Sequence, residues 1–534
     1  MIFVDKKTLT FFLHCNDVSY VMDVHEGYLR QLHFGGRIGQ EDVRMLRYDH
    51  CAGYIVNCDG TDFGGSLETL MQEYSFYGLG DYRKYSFKAR NEKGISAFDL
   101  RYEGYEIRRE KPSNGMPQVR GGETLIIFLR DGAAGIRIKL FYTPFEKQNA
   151  ITRWAKIENT GNDKLVLQCA NSFCLDICRE DFDIVTLYGK HSCEGQIQRM
   201  EAPRGCFQIE SVKGMSSHQH NPFLALASKD ATEQKGEVFG FQLIYSGSFA
   251  LCAEISQFRT MRVTGGINSA DFSWTLNRCE AFCTPEAVLT YSCRGLNGMS
   301  QFFHDLYREH LINGFAKNIR PIVINSWETA YFNFNGETLR KLADDARGLG
   351  IDTFVLDDGW FRNRNNDKSG LGDWEADTEK LGGELRDFAE YCHKRSLNFG
   401  LWIEPEMISE DSDLFRRHPS YVVHIPGRKP QVSRNQLVLD LTRREVLNYI
   451  KEKMEKLLSS ADIDYLKWDM NRPLTEFYSL ESGERSGEFS HRYILSVYEL
   501  AAFISKKFPH ILMEGCAGGG GRFDAAMLSF FPQI

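Results

Sequence analysis

The chain has 534 residues, more than one ordinary domain holds, and its 42% hydrophobic and 25% charged composition is that of a globular protein with two or more domains. A net charge of −8 argues against general affinity for nucleic acid or for an anionic membrane surface. No apolar run approaches a membrane span, the N-terminus lacks the segments of a signal peptide, and the 14 cysteines show no zinc-knuckle spacing, so free thiols in a reducing, cytoplasmic compartment are expected.

From Met1 to about Leu311 the hydrophobic pattern is mostly of period two. Thr124 to Arg130, Gly135 to Tyr142, Lys164 to Cys169 and Val238 to Tyr245 read as strands, with Asp131-Gly132 and Thr160-Gly-Asn162 as turns between such runs. Many strands at short spacing, without helices between them, predict a large β-sandwich. Met299, Phe302, Phe303, Leu306 and Leu311 then recur at helical spacing, so a helix over Asn297 to Asn313 closes this half.

From Arg320 the pattern alternates. Strands are predicted at Pro321 to Trp327, Thr353 to Asp357, Asn398 to Ile403, Tyr465 to Asp469 and Ile511 to Glu514. Helices are predicted at Glu337 to Leu349, Glu384 to Arg395, Arg443 to Leu458 and Arg492 to Lys507. Repeated β-α units predict a parallel sheet of barrel type, with five strands where a closed barrel has eight. The domain organisation expected is therefore 1–315, an all-β sandwich with its closing helix, followed by 316–534, an α/β barrel cut off after about five strands.

Barrels of this type place their chemistry at the C-terminal strand ends. Here those ends read Asn325-Ser-Trp327-Glu328, Asp357-Asp358-Gly-Trp360, Trp402-Ile-Glu404-Pro-Glu406, Lys467-Trp-Asp469 and Glu514-Gly-Cys516. Lys467 and Asp469 are two apart and share one face of a strand, and a cation beside a carboxylate favours its charged, nucleophilic form. The bland alternative is a strand-end ion pair. The other acid-bearing ends weigh against it, as do three tryptophans (Trp327, Trp360 and Trp402), each beside an acid. Carboxylates accept hydrogen bonds from sugar hydroxyls, and indole faces pack on the apolar face of a pyranose. A hard cation is the rival reading of the acid cluster, but the near-absence of histidine at these ends argues against zinc. Gly518-Gly-Gly-Gly521 lacks the spacing of a phosphate loop and reads as a tight turn that lets backbone approach a ligand.

The motifs Asp357-Asp-Gly-Trp-Phe361, Gly400-Leu-Trp-Ile-Glu-Pro-Glu-Met407, Arg434-Asn-Gln-Leu-Val-Leu-Asp440, Lys467-Trp-Asp-Met-Asn-Arg472 and Cys516-Ala-Gly-Gly-Gly-Gly-Arg-Phe-Asp524 resemble those of the α-galactosidases of glycoside hydrolase family 36. Gly214-Met-Ser-Ser-His-Gln-His-Asn-Pro-Phe223 and Tyr245-Ser-Gly247 extend the resemblance through the first half. It implies an N-terminal β-supersandwich, a catalytic (β/α)8 barrel, a C-terminal β-domain and a homo-tetramer. It implies no metal and no cofactor. Asp469 would be the nucleophile of a retaining hydrolysis of melibiose- or raffinose-type galactosides. Asp357 and Asp358 would hold the galactose 4- and 6-hydroxyls, and Lys467, Asn471 and Arg434 would bind hydroxyls around the ring. Cys516 would line that subsite, and Trp327 and Trp402 would wall it. Gly80-Asp-Tyr-Arg83 resembles a family loop that reaches a neighbouring subunit's site. The family's general acid lies in a Trp-x-Ser-Asp strand after a Pro-Gln pair, and Pro532-Gln533 is followed only by Ile534, so a fragment without the acid/base and the C-terminal domain is expected. An α-N-acetylgalactosaminidase, an α-galactosyl transferase and a catalytically dead sugar-binding protein are the alternatives.

Overall fold

The computed structural model describes residues 1–47 and 66–534, and Cys51 and Cys58 of the expected free thiols lie outside them. The chain divides into two compact units. The first comprises residues 1–212, 218–311 and 524–526, and the second residues 213–217, 312–523 and 527–534.

The first unit is antiparallel. A four-stranded meander, Ile2–Asp5, Thr10–His14, Val18–His25 and Tyr28–Gly36, accompanies a six-stranded and a ten-stranded sheet. The predicted runs are strands Thr124–Asp131, Ile136–Phe145, Leu165–Ile177 and Val238–Ile244. Leu165–Ile177 is longer than its alternation suggested, because both of its faces become buried towards its end and the period-two signal disappears. Phe173 of the six-stranded sheet stacks on Phe241 of the ten-stranded one at 5.8 Å between ring centroids, so these two sheets pack face to face. The closing helix, Gly295–Leu306, buries Met299, Phe302, Phe303 and Leu306 and continues as one wider π-helical turn, Tyr307–Leu311.

The second unit is built on an open, parallel five-stranded sheet in sequential order: β1 (Val323–Asn325), β2 (Thr353–Leu356), β3 (Asn398–Ile403), β4 (Tyr465–Trp468) and β5 (Leu512–Gly515). Helices α1 (Gly336–Gly348), α2 (Leu385–His393), α3 (Arg444–Leu458) and α4 (Phe489–Lys507) lie between successive strands. α1 starts where Asn335 caps it, its side chain accepting from the Glu337 and Thr338 amides. Strands covered on both faces read as continuous apolar runs, as β2 and β3 do. Gly400 sits mid-β3 where a Cβ would lie 2.8 Å from Val355, so only glycine lets these strands and their side chains approach so closely. β1 is shorter than predicted: the Asn325 side chain accepts from the Trp327 amide at 2.8 Å and turns the chain into a short helix, Trp327–Ala330. Parallel pairing aligns Asn325 with Val355, Trp402 with Lys467 and Lys467 with Glu514, which brings the candidate site residues to one end of the sheet.

Candidate active site

Asp469 is the residue after β4, 6% exposed, and both its oxygens are held. Oδ1 accepts from the Met470 and Gly518 amides at 2.9 and 3.2 Å. Oδ2 accepts from Asn471 Nδ2 at 2.9 Å and from the Trp402 indole N–H at 3.2 Å. Gly518 can offer its amide because the turn there needs positive φ, 55° at Gly518 and 83° at Gly519. Burial pushes the Asp469 carboxyl up, but the field of Lys467 and the hydrogen bonds from Gly518, Cys516 and Asn471 outweigh it and hold the group below the usual aspartate range. The result is an ionised, fixed carboxylate at a strand end.

Lys467 does not pair with Asp469, its neighbour on the same strand face. Its ammonium donates to Asp357 Oδ2 at 2.7 Å, reaching past β3 to the residue that follows β2. Lys467 therefore acts on Asp469 through its field. Asn325 Nδ2 donates to the same Asp357 oxygen at 2.6 Å, and the other oxygen accepts the Asp358 amide at 2.9 Å. Asp358 is clamped by Arg364, whose Nε and Nη2 donate to its two oxygens at 2.9 and 2.7 Å. Burial still raises the Asp358 carboxyl above the ordinary value despite that clamp.

Of the other predicted residues, Asn471 is in the cluster. So is Cys516, whose thiol hydrogen-bonds to Asp469 and is pushed up to about 12 by burial and by that carboxylate. Trp327 is half-buried at the end of β1, edge-on to Tyr331 and Phe332 at 5.1 Å. Trp402 is 2% exposed, so what it brings to the cluster is its N–H rather than an open ring face. Trp360 is not a sugar platform: it is fully buried and donates to the Trp402 carbonyl at 3.0 Å. Glu328 is exposed on its short helix, outside the cluster. Arg434 is exposed at a φ of 51°, and among the described residues its guanidinium pairs with none of these acids. Glu406 is buried against Arg522 at 2.7 Å, with the Trp468 indole at 3.0 Å. Glu514 bonds to the Tyr465 hydroxyl, and burial raises its carboxyl.

Arg364 was not expected here, and a loop arginine six residues from its partner carries no periodic signal. Gln436, which donates to Glu404 Oε2 at 2.8 Å, lies within the Arg434–Asp440 motif, which was its one sequence trace. Among the described residues no group of three or more His, Cys, Asp or Glu is arranged to hold a metal ion, and no helix is long and apolar enough to cross a membrane.

Comparison with known proteins divides the chain near residue 280, within the first compact unit. Residues 27–277 match the glycosyl hydrolase family 36 N-terminal domain and residues 281–534 match Melibiase. The chain is 44% identical over 540 residues to alpha-galactosidase AgaA of Geobacillus stearothermophilus, covering 99% of this chain and 74% of that protein. The chain belongs to the α-galactosidases of glycoside hydrolase family 36. As a member of that family it is a glycoside hydrolase with a sandwich domain followed by a barrel-type domain. The crystal structure of family 36 α-galactosidase AgaB of the same organism superimposes with a TM-score of 0.97 at 44% identity, over 100% of this chain and 74% of that one. An AgaA variant solved in complex with raffinose gives 0.96 at 44% identity, over 98% of this chain and 74% of that one.

Proposed function

We propose that this family 36 α-galactosidase cleaves terminal α-galactosyl residues from melibiose- and raffinose-type oligosaccharides with retention, and that Asp469 is the nucleophile. The observation that supports this is the hydrogen bonding of both oxygens of an ionised Asp469 carboxylate beside the Asp357–Lys467 pair. One Asp469 oxygen attacks the anomeric carbon as the bond to the leaving oxygen breaks, through an oxocarbenium-like transition state. The leaving group takes up a proton from a general acid. Water then hydrolyses the galactosyl ester and restores the carboxylate. Glu404 is not that acid: it is fully buried and both its oxygens are engaged within the protein. Asp357 and Asp358, together with Lys467, Asn471, Arg434, Cys516, Trp327 and Trp402, form the galactose subsite in this reading. Buried acceptors there would discriminate an axial from an equatorial 4-hydroxyl, because the wrong epimer leaves them unpaired. Raffinose bound to a 44%-identical relative supports the substrate class. Division at residues 315 and 316, homo-tetramer assembly and a cytoplasmic location belong to the same proposal.

Asp469→Ala tests it on 4-nitrophenyl α-galactoside, whose leaving group needs little protonation. Turnover should fall by about four orders of magnitude or more. Added azide should restore part of it and yield the inverted β-galactosyl azide. Near-normal turnover without azide would remove Asp469 from the nucleophile's role.

A further inference from the structure

Glu404 and Glu406 are two residues apart, both with no exposed surface, and their surroundings differ in one respect. Glu406 is paired with Arg522, whereas no cation forms an ion pair with Glu404 among the described residues. Glu404 Oε1 accepts the Asn471 amide at 2.5 Å, and the same Asn471 donates its side-chain amide to Asp469. Glu404 Oε2 lies 2.8 Å from the Gln436 carboxamide nitrogen, while the carboxamide oxygen of Gln436 is buried without a partner. Turning that carboxamide over places its oxygen where it can accept a proton from Glu404 Oε2. A buried carboxylate without a cation beside a second carboxylate is too costly to persist, and it takes up a proton instead.

We propose that Glu404 is a neutral carboxylic acid in the working enzyme, a positioning residue that gives Gln436 a proton to accept and holds Asn471 against the nucleophile. The proposal rests on Asp469 being that nucleophile. Neutrality at Glu404 spares Asp469 a second carboxylate charge on the Asn471 that they share. The charged groups that face it are Asp469 from the end of β4 and Asp358 from the end of β2; both are acids. Burial first, and the Asp469 charge second, raise the Glu404 carboxyl to about 8. When it ionises, two carboxylates oppose each other and the turn that carries Asn471 loosens.

The tests separate this from the nucleophile's identity. The infrared difference spectrum of the full chain between about pH 6 and about pH 9.5 should show loss of a protonated-carboxyl carbonyl band, absent from Glu404→Gln. Labelling by 5-fluoro-α-galactosyl fluoride, followed by mass spectrometry, needs no leaving-group proton. Wild type should label more slowly above about pH 8. Glu404→Gln should label within about threefold of wild type at about pH 6 and lose that alkaline fall. Glu404→Ala should slow labelling at all pH values by about a hundredfold. The proposal is overturned if wild type shows no such carbonyl band, a measurement that needs no variant. It is equally overturned if folded Glu404→Gln keeps the alkaline fall. Labelling of a residue other than Asp469 would instead sink the nucleophile assignment and leave the infrared result standing.

Discussion

Two buried charge clusters in this chain look alike by composition and differ in balance. In the sandwich unit Arg262 donates to Asp176 at 2.6 and 2.7 Å and to Asp81 at 2.8 Å, and Arg83 donates to Asp81 at 2.9 and 3.0 Å and to Asp176 at 3.3 Å. Two guanidiniums meet two carboxylates, and the network closes on itself. At the sheet ends of the second unit Lys467 pairs with Asp357 and Arg364 with Asp358, while Asp469 has no ion-pair partner among the described residues, so the charged acids outnumber their cations. Burial of charge does not distinguish a site from a structural joint. An excess of one sign, with hydrogen-bonding capacity left for a ligand, does.

The comparison breaks most sharply at Arg262. Arg262→Leu leaves Asp81 and Asp176 short of a partner in the interior, and removing one member of a buried ion network costs about 3–5 kcal/mol. Urea unfolding of the sandwich unit should register that loss. Burial pushes the Asp81 carboxyl up, but Arg262 and Arg83 outweigh it and hold it at about 2. A group depressed in the folded state contributes stability above its unfolded value and loses it as pH falls towards its folded one. The network's share therefore disappears between about pH 4 and about pH 2, and Arg262→Leu should be less acid-sensitive over that window. An unchanged urea midpoint would show that the network is not holding the fold.

In the cluster at the sheet ends a smaller effect of a different kind is expected. Trp402→Phe removes one donor from Asp469 Oδ2 and keeps most of the packing. The carboxyl, now below its ordinary range, should rise, so the acid limb of kcat/KM on 4-nitrophenyl α-galactoside should move towards neutral pH. Activity on the plateau should fall about tenfold. An unmoved limb in a folded variant would show that the indole does not tune the Asp469 carboxylate.

Which elements were legible in the sequence follows from the same contrast between local and distant causes. β2 to β5 were readable because short apolar runs bounded by helices have one packing solution in a parallel sheet, and the acids stood at the C-terminal strand ends where such sheets gather their polar groups. β1 was over-read because one side chain, Asn325, ends it by bonding to the Trp327 amide. Spacing along β4 put Lys467 and Asp469 on one face but could not show that Asp357, 110 residues away, takes the ammonium. Likewise Glu404 and Glu406 are indistinguishable locally; Arg522, 116 residues from Glu406, makes one a paired anion, while among the described residues the other has no cation. Trp360 beside an acid resembled a ligand platform, but its N–H bonds inward to Trp402.

The smallest effect sharpens the comparison from the sandwich side, at Gly80-Asp-Tyr-Arg83. The resemblance has this loop reaching a neighbouring subunit's site, yet Asp81 and Arg83 are both buried in the closed ion network. Tyr82 between them is 72% exposed, so its ring is the part of the loop free to meet a partner or a substrate. An exposed side chain outside the network contributes little to the fold, and Tyr82→Ala should leave stability within ~0.5 kcal/mol of wild type. If the ring completes a site across an assembly, KM for raffinose should rise while that for 4-nitrophenyl α-galactoside stays unchanged, because the smaller leaving group does not extend to it. Paired urea melts and kinetics on the two substrates read both quantities. A loss of more than about 1 kcal/mol would place Tyr82 with its buried neighbours as a structural residue. KM values unchanged from wild type on both substrates, with stability kept, would show that the loop tip serves neither the fold nor the sugar.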